Sequence, residues 1–281
     1  MKPRRHRRRL LPCMTTLIAR RFGYAGVIFL TLLTPRARAI VSGSMTNLTA
    51  PADATAWDYV GSIGGASGVY LGDYNGTYWV LTAAHVGAGD FTLNGTTYDA
   101  VSGSAISITN SDDTPADLTL FRISSDPGLA TLAISSSDKA AGTTVQMIGY
   151  GGGKSWGTNT IYGYGTYTLN GYPYNGRGII TLASGEAGNG GQGVGGDSGG
   201  GEFYQSGGKW ILAGILSGVG DITDGTTDEG NGTIAVDLAT YRTQVLNDIN
   251  AVSAIPEPAT WAAILGGTAL GLALWRRRRS E

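Results

Sequence analysis

Short apolar runs separated by turn residues dominate the chain from about residue 58 onward. Residues 68–72 and 78–82 are two such runs, and the segment between them contains Asn75-Gly76. Asn-Gly between two strand-like runs is a strong short-range signal of a β-hairpin. The pattern therefore predicts a hairpin, with His85 just beyond the end of its second strand.

The same pattern continues along most of the chain. Further strands or hairpins are expected at residues 91–98, 117–121, 144–151, 162–174, 210–218 and 234–236. Helical spacing is confined to residues 238–249, which should form a terminal helix. Frequent short strands with almost no helical periodicity predict an all-β fold, and residues 124–137 indicate a connection between two halves.

Charge is distributed unevenly, although the 281 residues carry a formal net charge of only −1. Fourteen of the twenty Lys and Arg residues lie in residues 1–39 or 276–279. Residues 40–254 contain six basic and nineteen acidic residues, a net charge of −13. An acidic body argues against nucleic acid as a partner, because phosphate binding needs basic surface.

Residues 1–39 are predicted to be a signal peptide. Residues 2–9 are strongly basic, residues 26–33 are apolar, and Ala37-Arg38-Ala39 fits the small-x-small cleavage pattern. Arg20-Arg21 leaves a twin-arginine route open as the alternative to general secretion. The single cysteine of the chain lies within this leader, so the mature protein would have no disulfide bonds.

The C-terminal segment, residues 251–281, has a different organisation. Pro256-Glu257-Pro258 is followed by an apolar run at 261–275 and by four arginines. This tail resembles the PEP-CTERM sorting signal of Gram-negative bacteria. The resemblance implies a transient membrane anchor, removal by an exosortase, and delivery to the cell envelope or surface matrix. An ordinary tail anchor is the alternative.

Three residues could form a nucleophilic site. Ser198 lies among small residues in Gly-Gly-Asp-Ser-Gly-Gly, and a serine needs a nearby base to act as a nucleophile. His85 is the only histidine outside the leader, and Asp117 opens an alternating strand that could orient it. The α/β-hydrolase order is excluded, because that fold places its histidine after the serine. Asp112 and Asp113 are rival acids in a polar loop.

The segments around His85, Asp117 and Ser198 resemble the TAAH, DxxL and GDSGG motifs of the trypsin/chymotrypsin family, in the family's order. More loosely, the resemblance covers residues 40–249. It implies two six-stranded antiparallel β-barrels, at residues 40–125 and 126–250, followed by a short helix. It also implies a serine endopeptidase that works through an acyl-enzyme and needs no metal or organic cofactor.

The resemblance further assigns supporting roles. The N–H groups of Gly196 and Ser198 would form the oxyanion hole, and a freed Ile40 amine would pair with Asp197 to activate the enzyme. Gln192 and Ser217 would belong to the substrate pocket, which should be fairly open and accept neutral side chains. The acidic segment 221–229 does not match an EF-hand calcium loop.

Proteins or peptides would be the substrates, with a signal peptidase and an exosortase as processing partners. Two other functions stay open from the sequence. An esterase could use the same triad, because acyl transfer to water does not require an amide substrate. A catalytically silent envelope-binding module could also retain the barrels.

Overall fold

The computed structural model describes residue 40 and residues 47–183, 190–223 and 228–253. The predicted signal peptide and nearly all of the predicted tail lie outside these residues, and the domain boundaries stay predictions. Among the described residues, no helix is both long and apolar enough to cross a membrane.

The first sheet lies in the N-terminal half of the described chain and has seven antiparallel strands in the order β5-β4-β1-β2-β3-β7-β6. These strands are β1 (Val60–Ile63), β2 (Ala66–Tyr74), β3 (Thr77–Thr82), β4 (Phe91–Leu93), β5 (Thr96–Tyr98), β6 (Ile106–Thr109) and β7 (Pro115–Ile123). The chain just after β5 also pairs with the end of β7, where Val101 N–H donates to the Arg122 carbonyl at 2.9 Å. This contact curls the sheet towards a barrel.

The second sheet has eight strands, of which seven follow the order β10-β9-β13-β14-β15-β12-β11. They are β9 (Thr144–Gly149), β10 (Ser155–Thr160), β11 (Gly163–Thr168), β12 (Asn175–Leu182), β13 (Gly201–Ser206), β14 (Lys209–Thr223) and β15 (Asp228–Asp237), while β8 (Ala133–Ile134) pairs in parallel with β14. The helix α1 (Leu238–Ser253) follows β15 directly.

The predicted architecture is confirmed as a mostly β structure with two curled half-barrel sheets and a single short helix. The described strands number seven and eight rather than six in each barrel. One reason is that the expected connection at 124–137 contributes β8. The predicted hairpins at 68–82 and 91–98 are present, and Asn75 and Gly76 both have positive φ, as a type I′ turn requires.

Glu202 is a carboxyl group buried in the second sheet. It lies on β13 with no exposed surface, and neither carboxyl oxygen has a hydrogen-bond partner in the described part of the chain. Loss of hydration disfavours the ionised form, and the nearby Asp237 carboxylate adds to this, which raises the pKa of Glu202 to about 8. Glu202 is therefore neutral over most of the acidic and neutral pH range.

We expect Glu202 to make folding stability dependent on pH. A carboxyl group whose pKa is higher in the folded than in the unfolded chain contributes stability that is complete below pH 4.5 and is lost as the pH rises to about 8. Each pH unit of that interval costs at most about 1.4 kcal/mol. Glu202→Gln should flatten this slope in urea unfolding measured across the interval, whereas Asp99→Asn, at an exposed carboxyl, should leave it unchanged. Equal slopes in all three proteins would contradict the assignment.

Candidate active site

His85 and Asp117 are hydrogen-bonded to each other where two neighbouring strands of the first sheet, β3 and β7, meet. His85 lies in the turn that follows β3, and its backbone N–H donates to Asp117 Oδ1 at 3.0 Å. The His85 Nδ1 atom lies 3.0 Å from Asp117 Oδ1 and 2.9 Å from Oδ2. The carboxylate is fully buried and the imidazole is 12% exposed. Attachment at two points fixes the ring and leaves its other nitrogen, Nε2, directed away from Asp117.

Ser217 supplies a third hydrogen bond to the Asp117 carboxylate. Its hydroxyl donates to Asp117 Oδ2 at 2.6 Å, and it lies on β14 of the second sheet. A buried carboxylate is costly unless its oxygens are hydrogen-bonded, and this contact meets part of that need. The bond also connects the two sheets directly behind the histidine.

The rival acids lie apart from His85. Asp112 is exposed, and its carboxylate accepts hydrogen bonds from the hydroxyl and N–H of Thr114 at 2.6 and 3.1 Å. These bonds hold the pKa of Asp112 below its ordinary value. Asp113 is exposed as well and has a φ of 64° in the turn before β7. Of the three candidate acids, Asp117 is the one that contacts the imidazole.

Ser198 lies in a tight turn at residues 195–200 whose shape depends on glycine. Gly196 and Gly199 have φ values of 95° and 83°, in the left-handed region that favours glycine. A Cβ atom on Gly199 would also collide with the Ser67 carbonyl and the Thr82 hydroxyl. The glycines around the serine are therefore required by the backbone.

Ser67, on β2, ties this turn to the first sheet. Its N–H donates to the Ser198 carbonyl at 2.9 Å, and its hydroxyl donates to the Gly196 carbonyl at 3.2 Å. The same hydroxyl accepts a hydrogen bond from Tyr150 N–H at 2.9 Å. Ser67 is fully buried, so these bonds fix the turn relative to the sheet that carries His85.

Three backbone donors of the turn are left without acceptors. Within the described part of the chain, the N–H groups of Gly195, Gly196 and Ser198 donate to no protein atom, whereas the N–H groups of Asp197, Gly199 and Gly200 are all bonded. Unused, preorganised donors beside a nucleophile are the feature that stabilises a developing oxyanion. Both residues proposed from the sequence for the oxyanion hole therefore have the freedom that this role needs.

Asp197 is buried and collects three backbone donors. Its Oδ2 accepts from Ile40 N at 2.9 Å and from Val194 N at 2.8 Å, and its Oδ1 accepts from Gly151 N at 3.1 Å. Burial outweighs these bonds and raises the pKa of Asp197 to about 6. In the full chain the Ile40 nitrogen is an uncharged amide, and it already lies beside Asp197.

A small cavity of about 70 Å³ lies beside Ser198. Its lining includes Ser217, as expected, but Gln192 is not among the described residues that line it. Thr233 and Val219 form its walls, and Thr233 Oγ1 accepts from Gly193 N at 2.9 Å. The pocket is therefore narrower than expected, because two side chains from β14 and β15 fill space that the nearby glycines alone would have left open.

His85, Gly196 and Ser198 line one open cleft of about 740 Å³. Tyr172 lines it too, and its ring centroid is 5.2 Å from that of His85. A larger groove of about 980 Å³ beside α1 is lined by none of these residues, so volume alone does not identify the site. No group of metal-ligating side chains is found in the described ranges.

The sequence did not indicate four residues that shape the site, namely Ser67, Tyr172, Val219 and Thr233. The small residues at 66–68, at the start of β2, were an available signal, since such residues mark close approach of another backbone. Tyr172 had no comparable signal, because its position depends on how one hairpin lies across the other sheet.

The sequence and the structure were compared with known proteins. A family model described as a trypsin-like peptidase domain matches residues 66–211, which is more than half of the chain. No curated protein sequence matches the chain.

Several solved structures match this chain at low sequence identity. Rv3671c from M. tuberculosis H37Rv, a serine-to-alanine mutant in its inactive form, is 17% identical with a TM-score of 0.50, over 78% of this chain and 100% of that one. The NS6 protease of murine norovirus is 17% identical (TM-score 0.43, 64% and 93% covered), and the HtrA-type protease AlgW with decapeptide is 22% identical (TM-score 0.45, 66% and 51% covered). At 17% identity the Rv3671c structure supports only the similarity of fold. The family model decides the family: this chain belongs to the trypsin-like peptidases.

Proposed function

We propose that this peptidase is a serine endopeptidase that cleaves peptide bonds through a covalent acyl-enzyme. The observation that carries the proposal is the double attachment of His85 to buried Asp117 at the edge of the cleft that Ser198 also lines. Ser198 Oγ attacks the scissile carbonyl, and His85 Nε2 takes its proton and later delivers it to the leaving amine. Asp117 holds the Nδ1–H tautomer and stabilises the imidazolium.

The oxyanion of the tetrahedral intermediate would be held by the N–H groups of Gly196 and Ser198. Their lack of protein acceptors supports this role, and the Ser67 bond to the Gly196 carbonyl steadies the turn. Donors of this kind contribute about 3 kcal/mol each to transition-state stabilisation. No step of this mechanism requires a cofactor.

The small cavity would hold the side chain of the residue that precedes the cut. An engineered apolar cavity of about 150 Å³ takes one benzene molecule, so a volume of about 70 Å³ leaves too little room for an aromatic ring. The lining contains no charged group that faces a basic side chain except Asp197, which is buried and engaged with three donors. We therefore propose that the substrate has a small neutral residue, such as alanine, before the cut.

Export would supply both the location and the activation of the enzyme. Removal of residues 1–39 would convert the Ile40 nitrogen into an ammonium that stays beside Asp197. The tail at 251–281 would then direct the protein to the envelope or surface, with a signal peptidase and an exosortase as its processing partners. The basic leader, the Pro-Glu-Pro motif and the arginine cluster support this proposal.

The triad is tested by substitution. Ser198→Ala, His85→Ala and Asp117→Asn should each lower peptide turnover by roughly 10⁴-fold, with Asp117→Asn acting through the wrong histidine tautomer. Asp113→Asn is the matched control and should keep full activity. If Asp113→Asn were inactive and Asp117→Asn active, the chosen acid would be wrong.

Reaction with a fluorophosphonate separates the enzyme from a silent binding module, because only an activated serine is labelled. The wild type should be labelled at Ser198, and Ser198→Ala should not be labelled at all. Turnover of matched ester and amide substrates then decides between an esterase and a peptidase: turnover of the ester alone would remove the peptidase proposal.

The activation pair is tested at the N-terminus. A protein that begins at Ile40 should be roughly ten- to a hundredfold more active than one with an unremoved Met before Ile40, since a hydrogen bond to a charged group is worth about 1.5–3 kcal/mol. Its activity should fall as the pH rises through the pKa of the amine, which a carboxylate partner raises above about 7.8. Ile40→Val retains the free amine and should stay active. Full activity of the Met-extended protein would rule out this switch.

The pocket is tested at Val219. Val219→Gly should widen the cavity and raise kcat/KM for peptides with phenylalanine before the cut, relative to alanine, by roughly tenfold or more. Val219→Ile should shift the same ratio in the opposite direction. A ratio that neither substitution changes would show that Val219 is not a wall of the pocket.

A further inference from the structure

The hairpin between β11 and β12 reaches from the second sheet to the catalytic histidine. We call residues 169–174, which join its strands, the hairpin tip. Tyr172 of the hairpin tip packs its ring against His85, with 5.2 Å between ring centroids and 49° between ring planes. The tyrosine is 49% exposed and lines the cleft beside His85.

The base of the hairpin is fastened to the first sheet. Asn110, at the end of β6, donates from Nδ2 to Asn175 Oδ1 at 2.7 Å and to the Asn175 carbonyl at 3.2 Å. Asn175 is the first residue of β12, so these bonds hold the hairpin beside the strand that carries Asp117.

The hairpin tip is also ordered internally. Leu169 N–H donates to the Tyr174 carbonyl at 2.9 Å, and Tyr172 N–H donates to the Leu169 carbonyl at 3.1 Å. Gly171 has a φ of 83°, which allows the tight turn, and the rings of Tyr172 and Tyr174 stack with centroids 6.2 Å apart. Tyr172 is therefore a preformed part of the cleft wall.

Leu169 completes this wall over β14. A Cβ atom placed on Gly218 would lie 3.2 Å from Leu169 Cδ1, so the leucine occupies the space directly above this glycine. Gly218 follows Ser217, which the β14–β15 pairing leaves out of register. The hairpin tip thus extends from Gly218 on β14 to His85.

An extended substrate would meet Tyr172 with its second side chain. Successive side chains of an extended peptide point in opposite directions. When the residue before the cut enters the small cavity under β14, the residue before that one faces away from the cavity, towards His85 and the hairpin tip. The Tyr172 ring already occupies part of this space.

We propose that Tyr172 determines specificity at the second residue before the cut, where it restricts the substrate to glycine or alanine. A larger side chain at that position would have to displace a ring that is held against His85 by the ordered hairpin tip. This inference rests on the proposed endopeptidase function and extends it to a second substrate position, so that the preferred substrate has two small residues in succession before the cut.

The test uses peptide anilides that carry alanine before the cut and either glycine or leucine at the second position, with protein purified from expression of the full chain. The wild type should favour glycine over leucine in kcat/KM. Tyr172→Ala should reduce this preference by roughly tenfold, mainly by raising kcat/KM for the leucine peptide.

Two matched variants identify the cause. Tyr172→Phe keeps the ring and should keep the preference, and Tyr162→Ala removes a tyrosine of similar exposure (45%) just before β11, at the opposite end of that strand from the hairpin tip, and should also keep it. If the enzyme turns the peptides over but Tyr172→Ala leaves the glycine-to-leucine ratio of kcat/KM unchanged, this inference alone is overturned. Absence of fluorophosphonate labelling and of all peptide turnover in the wild type would overturn the proposed function, and the inference with it.

Discussion

The site depends on hydrogen bonds that cross from one sheet to the other. His85 and Asp117 belong to the first sheet and Ser198 to the second, so neither sheet contains the candidate triad alone. Ser67 connects the sheets at the turn around Ser198, and Ser217 connects them at the buried Asp117 carboxylate. A small displacement of one sheet against the other would separate Ser198 from His85, so these buried contacts fix the geometry of the candidate site.

Three buried acids show how the environment sets the role of a carboxyl group. Asp117 has its oxygens engaged by the histidine and by Ser217, as an orienting carboxylate needs. Asp197 is held by three backbone N–H groups, and burial still raises its pKa to about 6, a shift that a cationic partner beside the carboxyl group would oppose. Glu202 has no partner among the described residues, and its pKa of about 8 keeps it neutral. The same functional group therefore serves in orientation, in a candidate switch and as a neutral core residue.

Much of the fold could be predicted from local pattern. Alternating apolar runs and Asn-Gly turns are short-range signals, and the hairpins around Asn75 and Asn94 formed where those signals lie. The site motifs were also visible, because a histidine, an acid and a glycine-rich serine turn each have distinctive local sequence. Gln192 was placed in the pocket by counting back from Ser198, and this was unreliable because the lining depends on which backbone segments meet there.

The sequence by itself determined the fold class, the candidate nucleophile and its base, and the glycines that the turn around the serine requires, since these follow from side-chain chemistry and nearby residues. Only the tertiary structure decided which of three neighbouring aspartates faces His85, how narrow the pocket is, and that Tyr172 covers the imidazole. Each of these depends on contacts between segments that are distant in the chain. The physical reason is that strand register and hairpin orientation across two packed sheets are set by the whole fold, and local sequence does not record them.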